Sequence, residues 1–142
     1  MAGESPLHSV SLTGIVVRDD GCVLAIERRD DGRWVPPGGV LELDETPEAG
    51  VVREVFEETG VAVKAEALIG VYKNMRLGVV TLAFRCHVIE GVGHATEEAA
   101  AVAWLGLDEV RRRMPEARAI RVLDAFRGGG PFVRVHDGTR LL

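Results

Sequence analysis

Residues 39–61 read GVLELDETPEAGVVREVFEETGV, a loop followed by a segment of helical character. Thr46 has a side chain suited to the N-cap of a helix, and Pro47 suits the first helical position, where a missing N–H costs nothing. Gly60 readily takes the left-handed conformation that ends a helix. The stretch therefore predicts a helix over residues 46–59.

One face of this predicted helix is acidic. At about 3.6 residues per turn, the side chains of Glu54, Glu57 and Glu58 point to the same side. Crowded carboxylates repel one another unless a cation lies between them, which predicts a divalent-metal site, although a simply solvated acidic face is the alternative. Gly50, beside these residues, is expected to leave room for a ligand. The opposite face carries residues at core spacing: Val52, Val55, Phe56 and Thr59.

The spacing of these residues resembles a known motif. Gly39, five residues, Glu45, seven residues and then REVFEETGV at residues 53–61 resemble the box of the Nudix hydrolase family at its nine defining positions. The preceding WVPPGG at residues 34–39 resembles the turn that leads into that box. The resemblance, to MutT-like members, implies an α/β fold: a mixed β-sheet in an α/β/α sandwich, with the box as a loop–helix–loop.

The resemblance also implies a function for the box. It implies hydrolysis of a nucleoside diphosphate linked to another moiety, with Mg2+ or Mn2+ as cofactor. Glu54, Glu57 and Glu58 would be the metal ligands, with Glu57 also counted among the catalytic residues. A backbone carbonyl near Gly38 or Gly39 would assist them, and both glycines would also contact the substrate.

Two further box residues are expected to orient these carboxylates. By resemblance, Arg53 and Glu45 form a pair that positions the metal ligands. An ordinary ion pair between Arg53 and Glu57, four residues apart on the helix, is the simpler interpretation. The two interpretations are compatible.

The general base is less clearly marked in the sequence. Nudix enzymes often use an acidic residue on a distant loop, and Glu98 is the first choice here, next to Glu97. Many relatives have another acid three residues before the strand tryptophan, where this chain has Ala101. Solvated loop glutamates are the alternative for both residues, and a box glutamate is the alternative for the base.

Substrate contacts are predicted outside the box as well. Arg28 or Arg29 is expected to clamp a substrate phosphate, because the guanidinium fork matches phosphate oxygens, while a plain surface pair is the alternative. The aromatic residues that could stack on a base are expected more often in the core: Trp34, Tyr72 and Phe84.

Composition and charge restrict the class of protein. The 142 residues, 46% hydrophobic and 27% charged, suit a single domain spanning residues 1–142 with a buried core. The formal net charge of −5 argues against a nucleic-acid polymer as partner. The N-terminus lacks a signal pattern and no apolar run approaches about 18 residues, so no membrane partner is expected. Cys22 and Cys86 suit reduced thiols, which favours a cytoplasmic location.

A coarse pattern of strands and helices surrounds the box. Strands are predicted at residues 9–17, 22–28, 63–72, 79–90 and 102–105, and a second helix at 117–126. The triplet Arg111, Arg112 and Arg113 is expected near the start of a helix, as a solvated face. Beyond about residue 128 a short tail is expected, with a hairpin over residues 132–141.

The substrate is left open by the sequence. A nucleoside triphosphate or a nucleotide-sugar is the least specific expectation, because motifs that mark more specialised Nudix members do not appear. A non-catalytic nucleotide-sensing domain and a diphosphate isomerase on the same fold are the alternatives to a hydrolase. A homodimer formed through an apolar strand edge is a further expectation.

Overall fold

The computed structural model describes residues 3–142, and within that range eight strands and three helices form the fold. In chain order they are β1 (Ser9–Val17), β2 (Val23–Arg28), β3 (Trp34–Val35), β4 (Gly38–Val40), α1 (Pro47–Thr59), β5 (Ala62–Asn74), β6 (Val79–Glu90), β7 (Ala99–Leu105), α2 (Leu107–Arg113), α3 (Glu116–Phe126) and β8 (Phe132–His136).

The strands form one mixed sheet, as predicted. Its order is β3-β2-β1-β6-β5-β8, while β4 pairs with β1 and β7 pairs with β2. The β1–β6 and β5–β8 pairs are parallel, and the remaining pairs are antiparallel. The long parallel register from Ser9 opposite Val79 to Val17 opposite His87 places β1 in the centre of the sheet.

Helices cover both faces of this sheet. Successive residues of a strand point to opposite faces, and on β1 the side chains of Leu12 and Val16 pack in the cluster that contains Val51 and Val55 of α1. Ile15 packs in the other cluster, which includes residues of α2 and α3. The expected α/β/α sandwich is therefore confirmed, with one apolar core on each side of the sheet.

The ends of α1 follow the residues that predicted them. Thr46 is the N-cap, and its Oγ accepts a hydrogen bond of 3.2 Å from the N–H of Ala49. Gly60 has φ +77° and donates its N–H to the carbonyl of Phe56. The cap residues thus begin and end the helix within one residue of the prediction.

Gly50 is required by packing rather than by a ligand. A Cβ at this position would lie against Leu12 Cδ1 and 2.9 Å from Glu45 Oε1. The close approach of α1 to β1 and to Glu45 therefore explains the glycine, and the expected ligand contact is not needed.

The prediction for the C-terminal segment is right in part. The chain turns back at residues 137–140, where an antiparallel bridge joins His136 to Leu141 and the N–H of Leu142 donates to the carbonyl of Val135. The main partner of residues 132–136 was not predicted: they form β8, which pairs in parallel with β5 from Gly70 opposite Phe132 to Asn74 opposite His136. The segment adds an edge strand to the sheet instead of forming a tail.

The region between residues 99 and 113 also differs from expectation. The strand β7 begins at Ala99 rather than at residue 102, because it pairs with β2 as far as Arg28. The helix α2 precedes α3, and Arg111 to Arg113 form its last turn rather than the start of a helix. No helix among residues 3–142 is both long enough and apolar enough to cross a membrane.

Candidate active site

Three carboxylates converge beside β4, the strand that precedes α1. Glu54 and Glu58 of α1 meet Glu98, from the loop before β7, and one oxygen of each lies within 4.8 Å of the other two. Glu54 is 8% exposed and Glu58 is 6% exposed, whereas Glu98 faces solvent. We call these three residues the acidic cluster.

Arg53 positions Glu54 of the acidic cluster and is itself fixed by a bidentate contact with Glu45. Its Nε and Nη2 donate to the two oxygens of Glu45 at 2.8 and 2.6 Å. Its Nη1 donates to Glu54 Oε1 at 2.9 Å. The bidentate contact fixes the guanidinium, which in turn fixes the carboxylate of Glu54. Arg53 and Glu45, the pair that the family resemblance implied, are therefore in contact, and Arg53 also contacts the metal-ligand candidate Glu54.

Glu58 is held from the other side by the backbone of β4. The N–H of Gly38 donates to Glu58 Oε1 at 2.6 Å. Side chains on the glycines of β4 would prevent this arrangement: a Cβ on Gly38 would lie against the carbonyl of Leu12, and one on Gly39 would lie 2.5 Å from Glu54 Oε2. Gly38 is therefore needed for the close approach of β4 to β1, and Gly39 leaves room for the carboxylate of Glu54 from α1.

The crowding of buried carboxylates changes how they ionise. Burial raises the pKa of Glu58 well above its usual value, and the nearby Glu54 and Glu98 act in the same direction, while the Gly38 N–H opposes them. Burial also raises the pKa of Glu54, against the opposing effect of Arg53. By contrast, the hydrogen bonds from Arg53 lower the pKa of Glu45 to about 2.

Glu57 lies outside the acidic cluster. Its side chain is 52% exposed, and its Oε2 accepts a hydrogen bond of 3.2 Å from Nη1 of Arg53. This is the i, i+4 ion pair considered from the sequence. Its predicted part in metal binding stays a prediction.

The acidic cluster lies in a groove that also holds both candidate phosphate-binding arginines. The outer groove, as we call it, has a volume of about 670 Å3. Within it, Arg28 is paired with Asp30 through contacts of 2.9 and 2.6 Å, while Arg29 Nε donates to the carbonyl of Thr96 at 3.0 Å. The remaining lining residues include Ser11, Gly38, Gly39, Val40, Glu97 and the acidic cluster.

The three aromatic residues considered for stacking lie elsewhere. Tyr72 is fully buried and donates its hydroxyl to Asp124 at 2.8 Å. Phe84 belongs to the core beneath α1, and Trp34 packs beside the core beneath α2 and α3. None of them lines the outer groove, so their role is packing. Cys86 is also a core residue, and burial raises the pKa of its thiol to about 12.

A second cavity, which the sequence did not reveal, opens from the same place. This inner cavity has a volume of about 240 Å3 and shares Ser11, Arg28, Gly38, Gly39 and Glu58 with the outer groove. Its deeper wall includes Asn74, Arg118, Arg121 and His136. One sequence signal was available: Arg121 follows Ala117 by four residues on the core-facing side of an amphipathic helix, where a charged residue is unusual.

The donor set of the acidic cluster suits a hard divalent cation. Carboxylate oxygens are the ligands that Mg2+ and Mn2+ prefer. Two of the three carboxylates are buried, and among residues 3–142 Arg53 forms an ion pair with Glu54 whereas no cationic side chain does so with Glu58. A bound cation would offset both the burial, which is the main reason that the pKa values of Glu54 and Glu58 are raised, and the smaller repulsion between the carboxylates.

The chain is similar to known proteins over most of its length. The sequence model of the NUDIX domain matches residues 8–126. The chain is 58% identical over 141 residues to a MutT-like protein of Streptomyces ambofaciens, covering 99% of this chain and 92% of the relative. It is 35% identical over 112 residues to an ADP-ribose pyrophosphatase of Methanocaldococcus jannaschii, covering 73% of this chain and 66% of the relative.

A solved structure shares the fold. The crystal structure of an ADP-ribose pyrophosphatase from Streptococcus suis superimposes with a TM-score of 0.76 and 21% identity, covering 92% of this chain and all of that one. This likeness concerns the fold, whereas the two sequence matches extend to the box residues. The chain therefore belongs to the NUDIX family and is a Nudix-type pyrophosphohydrolase, as its box predicts.

Proposed function

We propose that this enzyme hydrolyses the diphosphate bond of a nucleoside diphosphate linked to another moiety, with Mg2+ or Mn2+ as cofactor. The observation that carries the proposal is the convergence of Glu54, Glu58 and Glu98 in one groove. Nudix hydrolases use divalent metals and act on small nucleotide substrates. A nucleoside triphosphate and a nucleotide-sugar are the two substrate types we propose to test first.

Glu54 and Glu58 of the acidic cluster would hold the cation, with Glu57 as the further ligand that the box predicts. Bound there, a divalent ion would neutralise charge on the diphosphate and lower the pKa of a bound water. Glu57 needs only a change of side-chain rotamer to leave Arg53, because it is half exposed and its hydrogen bond from Arg53, at 3.2 Å, is longer than those to Glu45 and Glu54.

Glu98 is the carboxylate best suited to accept a proton from water. Glu54 is engaged by Arg53, and Glu58 is engaged by the N–H of Gly38. No backbone N–H or arginine among residues 3–142 donates to the carboxylate of Glu98, which faces solvent. A general base must come within hydrogen-bond reach of water, and the exposed side chain of Glu98 is open to solvent.

The arginines of the outer groove would contact the phosphates. Arg29 uses its Nε for the carbonyl of Thr96, which leaves both terminal nitrogens for phosphate oxygens. Arg28 is already paired with Asp30, so it contributes positive charge to the groove and would have to exchange that partner to form a fork with phosphate. Gly38 and Gly39 allow the substrate to approach the backbone of β4 closely.

Turnover with a set of nucleotides and nucleotide-sugars tests the proposal, with Mg2+ or Mn2+ present and the products separated by chromatography. We expect metal-dependent release of phosphate, pyrophosphate or a nucleoside monophosphate. Nucleotide binding without turnover would favour a sensing domain instead. The high pKa of Cys86 gives no support to an isomerase that needs a reactive thiol.

Two variants test the roles of individual carboxylates. Glu57→Gln should abolish hydrolysis while leaving the fold intact, and Glu98→Gln should lower kcat by about 10²–10⁴ without weakening metal binding. Glu48→Gln, an exposed change on the same helix as Glu57, is the matched control. Near-normal activity of the Glu57 variant at saturating Mg2+ would remove that residue from the ligand set.

Location and assembly are part of the proposal. Both cysteines are free thiols, in keeping with a cytoplasmic enzyme. A homodimer stays a prediction, which light scattering coupled to size-exclusion chromatography tests directly.

A further inference from the structure

The inner cavity contains a buried cation that no acidic side chain among residues 3–142 neutralises. Arg121 is only 4% exposed. Its Nη1 donates to Thr13 Oγ1 at 3.0 Å, while its Nε has no hydrogen-bond acceptor among the described residues. No carboxylate between residues 3 and 142 lies within 4.0 Å of its guanidinium, and the ring of Tyr72, 5.3 Å away, offers only a partial compensation.

The same helix pairs its other buried charge completely. Asp124, three residues after Arg121, accepts two hydrogen bonds from Arg134, at 2.7 and 2.8 Å, and one from Arg127 at 3.1 Å. A carboxylate is thus available within one turn of Arg121, but it is used elsewhere. Because an unpaired buried charge is costly, the missing partner of Arg121 calls for an explanation.

His136 leaves a second donor of Arg121 without a protein acceptor. The N–H of Gly138 donates to His136 Nδ1 at 2.9 Å, so in the neutral ring the proton lies on Nε2. That Nε2 lies 3.2 Å from Arg121 Nη2, so two donors face each other. An anion that accepts from both groups would satisfy the pair.

Arg118 adds positive charge to the same cavity. It lies one turn before Arg121 on α3 and forms no ion pair within 4.0 Å among the described residues. Burial lowers its pKa, and the neighbouring Arg28 and Arg33 act in the same direction. The carboxylate that lines this cavity, Glu58, lies at the opening shared with the outer groove.

We propose that the inner cavity binds a second anionic group of the substrate, a phosphate or a carboxylate, beside the diphosphate that lies at the acidic cluster. The inference rests on the proposed function, because it assumes that the diphosphate occupies the outer groove. The two spaces share five lining residues, and the inner one has room for about eight waters at about 30 Å3 each. An uncharged base in this cavity would leave Arg121 without a counter-charge.

Binding of inorganic phosphate tests the cavity without any hydrolysis. The full chain is heated with increasing phosphate, at constant ionic strength, with and without Mg2+. We expect Tm to rise by about 3–6 °C when phosphate reaches about ten times its Kd. Arg121→Met should lose this shift, and Arg111→Met, an exposed change on α2, should keep it. Acetate replaces phosphate in a parallel series to compare the two anions.

The loss of the shift must be separated from a loss of folding. If Arg121→Met does not fold, Arg118→Met serves the same purpose, because that side chain is only half-buried. A phosphate shift that is unchanged in both arginine variants, or no shift in the unaltered protein, overturns the inference. In that case Arg121 has a structural role, and water fills the inner cavity.

Matched substrates identify the anion. One pair is ADP-ribose and its 2′-phosphate, and the other is UDP-glucose and UDP-glucuronic acid. We expect KM to be lower for the anionic member of one pair by tenfold or more, and the difference to vanish in Arg121→Met. A preference in the first pair assigns a phosphate, one in the second a carboxylate, and equal KM values in both pairs overturn the inference. The proposed function fails separately, if no substrate is hydrolysed with Mg2+.

Discussion

Glu58→Gln should stabilise the metal-free enzyme while removing its response to metal. The substitution removes one negative charge from the acidic cluster and nearly preserves the side-chain volume. The amide oxygen can still accept the hydrogen bond that Gly38 donates at 2.6 Å. The local fold is therefore expected to persist, so that the change in stability reports the charge.

The magnitude follows from the separation of the carboxylates. The carboxylate oxygens of the acidic cluster lie within 4.8 Å of one another, and two unit charges at that limit repel by about 3.5 kcal/mol at an effective dielectric constant of about 20. Partial protonation of Glu58 relieves some of this repulsion. We therefore expect a gain of about 1–3 kcal/mol in the free energy of unfolding at pH 8, which corresponds to a Tm increase of about 2–10 °C.

The gain should depend on pH in a defined direction. Burial raises the pKa of Glu58 in the folded protein above its value in the unfolded chain. Such a carboxyl favours folding when it is protonated, and that contribution is lost as the pH rises from the unfolded pKa through the folded one. The advantage of Glu58→Gln should thus be absent below about pH 4 and grow toward pH 8.

With metal bound, the unaltered enzyme should become more stable than Glu58→Gln. At about 100 times its Kd, Mg2+ would stabilise the unaltered enzyme by about 2.7 kcal/mol, and the variant should gain much less. Urea unfolding with and without Mg2+ at pH 5 and pH 8 measures both effects, with Glu48→Gln as the control. The reasoning is refuted if Glu58→Gln is less stable than the parent at pH 8 without metal and responds equally to Mg2+.

Three further predictions concern residues around the site. Arg53→Lys should lower kcat by about 10–100-fold with Tm nearly unchanged, because a lysine cannot form the fork with Glu45; paired activity and melting measurements check this. Asp124→Asn should reduce the free energy of unfolding by about 3–5 kcal/mol, since Arg134 loses its buried partner; urea unfolding measures it. Burial lowers the pKa of His136 to about 4, so its protonation should cost stability as the pH falls from about 6.5 to 4, and Tm of His136→Gln should fall less steeply over that range.

Each of these has an outcome that would contradict it. Full activity of the Arg53 variant would mean that the orientation of Glu54 does not limit catalysis. An Asp124 variant as stable as the parent would show that Arg134 finds water instead. Parallel pH profiles for the parent and the His136 variant would mean that the histidine is already accessible to protons from solvent.

The helix of the box was predictable because its determinants are local. Thr46, Pro47 and Gly60 mark the ends of α1 through contacts with the residues next to them. The common face of Glu54 and Glu58 follows from helical geometry alone. The contact between Arg53 and Glu45 spans only eight residues and was inferred from the resemblance to the family.

Contacts between distant segments could not be predicted in this way. Glu98 lies 40 positions after Glu58, and nothing in its local sequence distinguishes a residue of the acidic cluster from a solvated loop glutamate. The strand at residues 132–136 has the alternating pattern of a hairpin strand, yet it pairs with β5. Periodicity identifies a strand, but the choice of partner depends on which edge of the sheet is free.

The charged residues of α3 show which features the sequence can predict and which it cannot. The sequence by itself places Arg121 and Asp124 on the core-facing side of an amphipathic helix, because they continue the spacing set by Ala117 and Ile120. Only the tertiary structure decides that Asp124 meets two arginines while Arg121 meets no carboxylate from the described part of the chain. The physical reason is that a periodic pattern determines the direction in which a side chain points, whereas its counter-charge comes from whichever strand or ligand lies across that space.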